Sequence, residues 1–189
     1  MVSIDEIVAG LKRLDEHNFT LDNVYEFLSA NPIDTDSLSP YLFWSDKFYT
    51  RNLIHRQDSF EVMALCWEQG QISRVHDHAD QNCWMSVVSG TLRGQNFAVE
   101  KFDESAGTCR LVETTLFDIT GSNTAKVELE EPIHQILNLS EFGQRAISVH
   151  VYSRPITRCR SFCRETDTFK DVDLFYTSVD GRLCDGITL

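Results

Sequence analysis

From about Tyr49 to Tyr176 the chain is a succession of short β-type runs separated by turn residues, and this spacing constrains the fold more than any other feature. The runs are Tyr49–Leu53, Phe60–Trp67, Ser73–His78, Cys83–Val88, Leu92–Val99, Cys109–Thr115, Lys126–Leu129, Ile133–Leu139, Arg145–Tyr152 and Arg158–Phe162, with a last one near Val172–Tyr176. Glu68-Gln69-Gly70, Ser89-Gly90 and Gly121-Ser122-Asn123 supply turns between them. Many short strands spaced roughly 8–12 residues apart point to a sandwich or barrel. Before Tyr41 the apolar period is helical. Ile4, Ile7, Val8, Leu11 and Leu14 share one face, and Ser3 with Glu6 makes a capping box. Val24, Phe27 and Leu28 mark a second helix that Asn31-Pro32 should stop, and Asp34 or Thr35 can cap a third near Leu38 to Leu42. The expected fold is mainly β, one domain over residues 1–189, with a helical extension over 1–42 packed on an antiparallel jelly roll.

Composition narrows the partners. The 189 residues carry 17 basic and 29 acidic side chains, a net charge of −12. Such a surface repels phosphate backbones and anionic lipid, so neither nucleic acid nor membrane is an expected partner. A small anionic substrate is still compatible, because one local arginine can override the global field. No apolar run reaches the ~18 residues of a membrane span, and the acidic, amphipathic N-terminus does not read as a secretory signal. Six cysteines form no CxxC pair, which argues against a disulfide scaffold or structural zinc. A cytoplasmic monomer is the expectation.

The sharpest local feature is His76-Asp77-His78. On a strand, residues i and i+2 face the same side. His134, on another β-type run, can meet them if the strands are barrel neighbours. Three imidazoles on one face make a facial metal site with open positions, though imidazole alone does not select iron over zinc, copper or nickel. The plainer reading is a pair of exposed strand-end histidines.

Context favours the metal. Gly70, five residues, His76, one, His78, four, Cys83, six, Gly90 resembles the first cupin motif, with cysteine in the place of its glutamate. His134-x3-Asn138 resembles the end of the second cupin motif. Without the carboxylate, three neutral ligands face a dication, a combination able to accept an anionic thiolate, another donor and O2.

The chain is thereby similar to the thiol dioxygenases of the cysteine dioxygenase family, over about Leu42 to Cys163. The likeness rests on the order and spacing of YTRN (Tyr49–Asn52), LCW (Leu65–Trp67), HDHADQNC (His76–Cys83), the His134 segment and SVHVYSRP (Ser148–Pro155). The resemblance implies that His76, His78 and His134 hold Fe(II), and that Arg51 pairs bidentately with the substrate carboxylate. It implies that Tyr49 shapes the substrate's polar end, with Trp67 beside the pocket. Tyr152 would direct its phenol at the reacting thiolate and oxygen, oriented by a hydrogen-bonded row of Ser148 and His150. Cys83 and Tyr152 match a pair that family members can join as a thioether. Read without the family, Arg51 is a surface ion-pair partner, Cys83 and Tyr152 are core residues, and His150 is structural.

The family pattern is broken at one point. Cysteine-using members are expected to carry Ser-Pro-Pro after the tyrosine; here it is Ser153-Arg154-Pro155. Members acting on 3-mercaptopropionate can carry arginine there, usually with glutamine in the place of Arg51, whereas this chain has both arginines. If Arg154 reaches the pocket, it is a second substrate ligand and a two-carboxylate thiol such as mercaptosuccinate fits. If it points to solvent, L-cysteine is the simplest substrate. The expected reaction is conversion of cysteine and O2 to cysteine sulfinate. The alternatives are the same reaction on another carboxylate thiol, a cupin with different metal chemistry, or a non-catalytic metal-binding cupin.

Overall fold

The computed structural model describes residues 1–121, 123–126 and 132–187. Helix α1 (Ile4–His17) starts at Ser3, whose hydroxyl accepts from the Glu6 backbone N–H while the Glu6 carboxylate accepts from the Ser3 N–H, closing the expected capping box. Helix α2 (Leu21–Ala30) is capped by Thr20 and ends before Asn31-Pro32. The third segment is a 3-10 helix over Thr35–Tyr41, capped by Asp34.

Strands follow: β1 (Thr50–Arg56), β2 (Glu61–Trp67), β3 (Val75–His76), β4 (Cys83–Ser89), β5 (Thr91–Asp103), β6 (Thr108–Thr120), β7 (Asn123–Lys126), β8 (Ile133–Leu137), β9 (Ala146–Tyr152), β10 (Arg158–Cys163), β11 (Thr168–Asp173), β12 (Ser178–Val179) and β13 (Arg182–Leu183). One sheet runs β13-β12-β1-β2-β9-β4-β7. The other runs β10-β11-β6-β5-β8-β3 and closes, because β3 pairs with both β8 and β10. The pairings are antiparallel except β1 with β12. Two facing sheets of this kind are the cupin jelly roll. Among the described residues, no helix is long and apolar enough to cross a membrane.

Several expected strands differ in extent. The Ser73–His78 run yields only Val75–His76 as strand, because the chain turns back at His78 through Ala79 and Asp80, both at positive φ. The Leu92–Val99 and Cys109–Thr115 runs extend into a longer, largely exposed hairpin. The last run is shifted to Thr168–Asp173, paired along its length with β10. Beyond Lys126 the expected Lys126–Leu129 run lies outside the described residues. The short pair β12–β13 follows polar sequence with no period.

Strands β2 and β9 are buried at every position. Two layers explain this. Val62, Ala64, Ile147, Val149 and Val151 pack outward with Trp84 against Ile4, Ile7, Leu11, Val24 and Leu28 of the helices. Met63, Leu65, Trp67 and Tyr152 pack inward, between the sheets, with Cys83 and Met85. A strand covered on both faces loses the apolar–polar alternation of a half-exposed one. Glu61, fully buried at the start of β2, is satisfied: its carboxylate accepts from the Ile156 backbone N–H at 3.0 Å and from the Tyr176 hydroxyl.

Two motif residues turn out to be structural. Gly90 sits at φ +79°, and a Cβ there would lie 2.4 Å from the Arg145 carbonyl oxygen, so only glycine fits the turn. Asn138, fully buried, donates from its amide to the carbonyls of Trp67, Glu68 and Gln144 at 3.0–3.1 Å. It thus ties the exits of β2 and β8 to the entry of β9. Asn138→Ala is expected to destabilise the protein by about 2–3 kcal/mol, since buried carbonyls lose their donors; urea unfolding at neutral pH measures it.

Candidate active site

The inward face of the barrel gathers the histidines. Cross-strand pairing of β3 with β8 sets His76 directly opposite His134. His78, just past the end of β3, closes the group. The ring centroids lie 5.1 Å (His76–His78), 4.8 Å (His76–His134) and 4.7 Å (His78–His134) apart. One nitrogen from each ring lies within 4.8 Å of the other two, a grouping that could hold a metal ion.

The donors suit a cation. His76 Nδ1 is 2.8 Å from the Arg74 carbonyl. A carbonyl only accepts, so Nδ1 carries the proton and the Nε2 lone pair is free for a metal. Burial, and mutual repulsion with the other imidazoles and Arg51, hold His78 well below the usual histidine range, and burial does the same for His134. Neutral bases ready to bind a dication are the result. Among the described residues no carboxylate joins the group. Cys83, at the motif's acidic position, lies directly opposite Tyr152 across β4 and β9. Burial pushes the Cys83 thiol up to about 12 and the Tyr152 phenol well above its ordinary value, so both stay protonated.

Strand alternation aims the next residues. Ser148, His150 and Tyr152 share the inward face of β9, and His150 and Tyr152 line the cavity with the three histidines. Trp67 Nε1 donates to Ser148 Oγ at 3.0 Å, and Ser148 Oγ lies 2.9 Å from His150 Nε2. The rings of His150 and Tyr152 stack with centroids 6.1 Å apart, and Tyr152 lies 5.6 Å from His78. Tyr49 stacks on Trp67 at 4.3 Å.

Arg51, on β1, is 9% exposed. Its Nη1 reaches the Phe175 carbonyl at 3.4 Å, and its Nη2 is buried with no partner. Among the described residues no carboxylate pairs with it. Tyr176 lies 5.7 Å beneath the guanidinium and bonds onward to Glu61. The cavity has a volume of about 880 Å³, with exposed Phe48, Ile72 and Phe175 and the cations Lys47 and Arg74 at its mouth.

Nine of the ten expected site residues are therefore in or around one cavity: Tyr49, Arg51, His76, His78, Cys83, His134, Ser148, His150 and Tyr152. Arg154 is the correction. It is exposed, beyond the end of β9, and does not line the cavity; the strand ends two residues before it, at Tyr152, so alternation no longer aims its side chain inward. Three neighbours were missed. Cys159 lines the cavity, its thiol raised to about 11 by burial. Tyr176 and Thr177, whose Oγ1 accepts from the Arg51 backbone N–H at 3.1 Å, come from the C-terminal segment. A glutamate opening an otherwise apolar β2 was the one visible signal for the Tyr176–Glu61 pair.

The profile of the cysteine dioxygenase type I family matches residues 3–165. The chain belongs to that family. Cysteine dioxygenase type 1 of Danio rerio is 28% identical over 164 residues, covering 86% of this chain and 78% of that protein. The Rattus norvegicus enzyme is 28% identical over 179 residues, covering 94% and 84%. A solved Klebsiella pneumoniae protein with a double-stranded β-helix domain superposes with a TM-score of 0.49 at 16% identity, over 62% of this chain and 82% of that one. Cysteine dioxygenase membership makes the chain an oxygenase enzyme of the cupin class, and the three-histidine cluster fits a metal.

Burial holds His150 at about 3, against 6.5 for an ordinary histidine. Below pH 6.5 the unfolded chain takes up a proton that the folded site refuses, so stability falls as pH drops from 6.5 towards 3. In metal-free protein, His150→Gln should make that fall shallower by up to ~1.4 kcal/mol per pH unit, read from urea midpoints across the upper part of the window.

Proposed function

We propose that this protein is an iron(II)-dependent dioxygenase converting L-cysteine and O2 to cysteine sulfinic acid. The observation that carries the reading is Arg51: a buried guanidinium without a counter-ion among the described residues, in the same cavity as three neutral imidazoles. A buried cation left unpaired is costly, and the carboxylate of an amino-acid substrate supplies the missing anion while its thiol reaches the histidines.

A ferrous ion held by His76, His78 and His134 would lower the pKa of the substrate thiol and bring thiolate and O2 together. Both oxygen atoms end on sulfur, so R–SH and O2 balance R–SO2H with no external reductant. Arg51 orients the carboxylate bidentately. Tyr49, held flat against Trp67, walls the polar end. Ser148 accepts from Trp67 and donates to His150 Nε2, leaving a proton on His150 Nδ1, buried without another partner. His150 in turn orients Tyr152, whose neutral phenol is a hydrogen-bond donor towards sulfur and oxygen. Cys83 and Tyr152 face each other across two strands; a thioether between them would replace the S–H and one ring C–H by a C–S bond, the two hydrogens and two electrons passing to O2 as H2O2.

One observation favours a second reading. A cavity of about 880 Å³ with Lys47 and Arg74 at its mouth has room and charge for a larger anionic thiol such as mercaptosuccinate. The exposed position of Arg154 favours a single carboxylate, as in cysteine or 3-mercaptopropionate.

Fe(II)-loaded protein should consume O2 and form sulfinate with at least one of the three thiols; no uptake with any of them overturns the proposal. Arg51→Ala should raise KM on the order of 10²-fold through loss of two charged hydrogen bonds, and Tyr152→Phe should lower kcat about 10²-fold, while Arg154→Ala stays near native. Intact mass should show a species about 2 Da lighter, from the two lost hydrogens, that disappears in Tyr152→Phe; the loop it closes makes it run faster on a denaturing gel.

A further inference from the structure

A second cavity, of about 390 Å³, lies against the first, and His78 lines both. Its ring therefore forms part of the wall between them. On the far side Asp77, Gln81, Val99, Phe102, Ile133 and Phe162 complete the lining with several neighbours. Two polar atoms of these lining residues, His78 Nδ1 and Gln81 Oε1, are buried without a partner among the described residues. Buried polar atoms in a folded protein are almost always satisfied. These two are complementary: an imidazole that gives Nε2 to a metal carries its proton on Nδ1 and must donate, and an amide oxygen can only accept.

The two residues stand at the ends of one turn. Ala79 and Asp80, at φ 50° and 58°, make a tight turn closed by the Gln81 N–H donating to the His78 carbonyl at 3.1 Å. Of the two carboxylates in the lining, Asp77 and Asp80, Asp77 is engaged through Oδ1, which accepts from the backbone N–H groups of Ala79 at 3.3 Å and Arg160 at 2.9 Å. His76 solves the same problem directly through the Arg74 carbonyl; His78 has no such carbonyl.

We propose that the second cavity holds an ordered water that accepts from His78 Nδ1–H and donates to Gln81 Oε1, making Gln81 a positioning residue for the metal centre. The inference rests on the three-histidine metal reading. Gln81 fixes the tautomer and ring angle of His78 from outside the substrate cavity, and outer partners of this kind typically contribute 10–100-fold to metal affinity.

The test compares Gln81→Met, which keeps the length but removes the acceptor, with Gln81→Glu, which can only accept. Anaerobic Fe(II) affinity is measured by chelator competition, and the melting temperature of each metal-free variant reports folding. Gln81→Met should bind Fe(II) about 10–100-fold more weakly than native, with an unchanged metal-free melting temperature, and Gln81→Glu should bind at least as tightly as native. Native-like affinity in Gln81→Met overturns the inference, as does equal weakening in both variants, which marks a packing role. If Gln81→Met does not fold, Gln81→Glu decides alone: weaker binding than native overturns the proposal. A native protein that holds no Fe(II) removes the metal reading with it, whereas a failure confined to the variants leaves that reading standing.

Discussion

Strand β9 is buried on both faces, and the site depends on that double cover. Its outward residues Ile147, Val149 and Val151 are sealed by the N-terminal helices. This frees the inward face to carry Ser148, His150 and Tyr152 at the cavity, where polar groups cost stability unless they bond to one another. Trp67, reaching from β2 to Ser148, supplies the first link of that chain. Helices that touch no reactive group thus keep the polar row rigid: they hold the strand whose pleat aims it.

Charge follows a second logic. The chain as a whole is acidic, yet among the described residues its cavity pairs no carboxylate with the buried Arg51 and places none among the three histidines. Desolvation keeps the imidazoles neutral and the phenol and thiol protonated. Among the described residues the guanidinium is the buried charge of the cavity lining, the group with which the proposed substrate carboxylate would pair. Acidic side chains nearby are spent elsewhere: Glu61 on Tyr176 and a backbone amide, Asp77 on two backbone amides.

Much of this was legible in the order of residues. The His76-x-His78 pair, the i, i+2, i+4 spacing of Ser148, His150 and Tyr152, and the capping box at Ser3 are local patterns, and local patterns survive into the fold. Arg154 was not legible. Two residues past the end of a strand, the alternation that aims Tyr152 inward no longer holds, and nothing in the adjacent residues shows where the strand stops. Tyr176, Thr177 and Cys159 were missed for the opposite reason: each meets Arg51 or the cavity through contacts with residues far away in sequence.

The sequence by itself determined the layers, the three candidate histidines and the cysteine in the motif's acidic place, because periodicity and residue type act over a few residues. Only the tertiary structure decided that His76 faces His134, that Arg51 has no counter-ion among the described residues, that Arg154 stays outside, and that His78 lines a second cavity beside Gln81. Those are questions of pairing register and burial, and they are settled by which strands meet in the closed sheet, not by any stretch of chain alone.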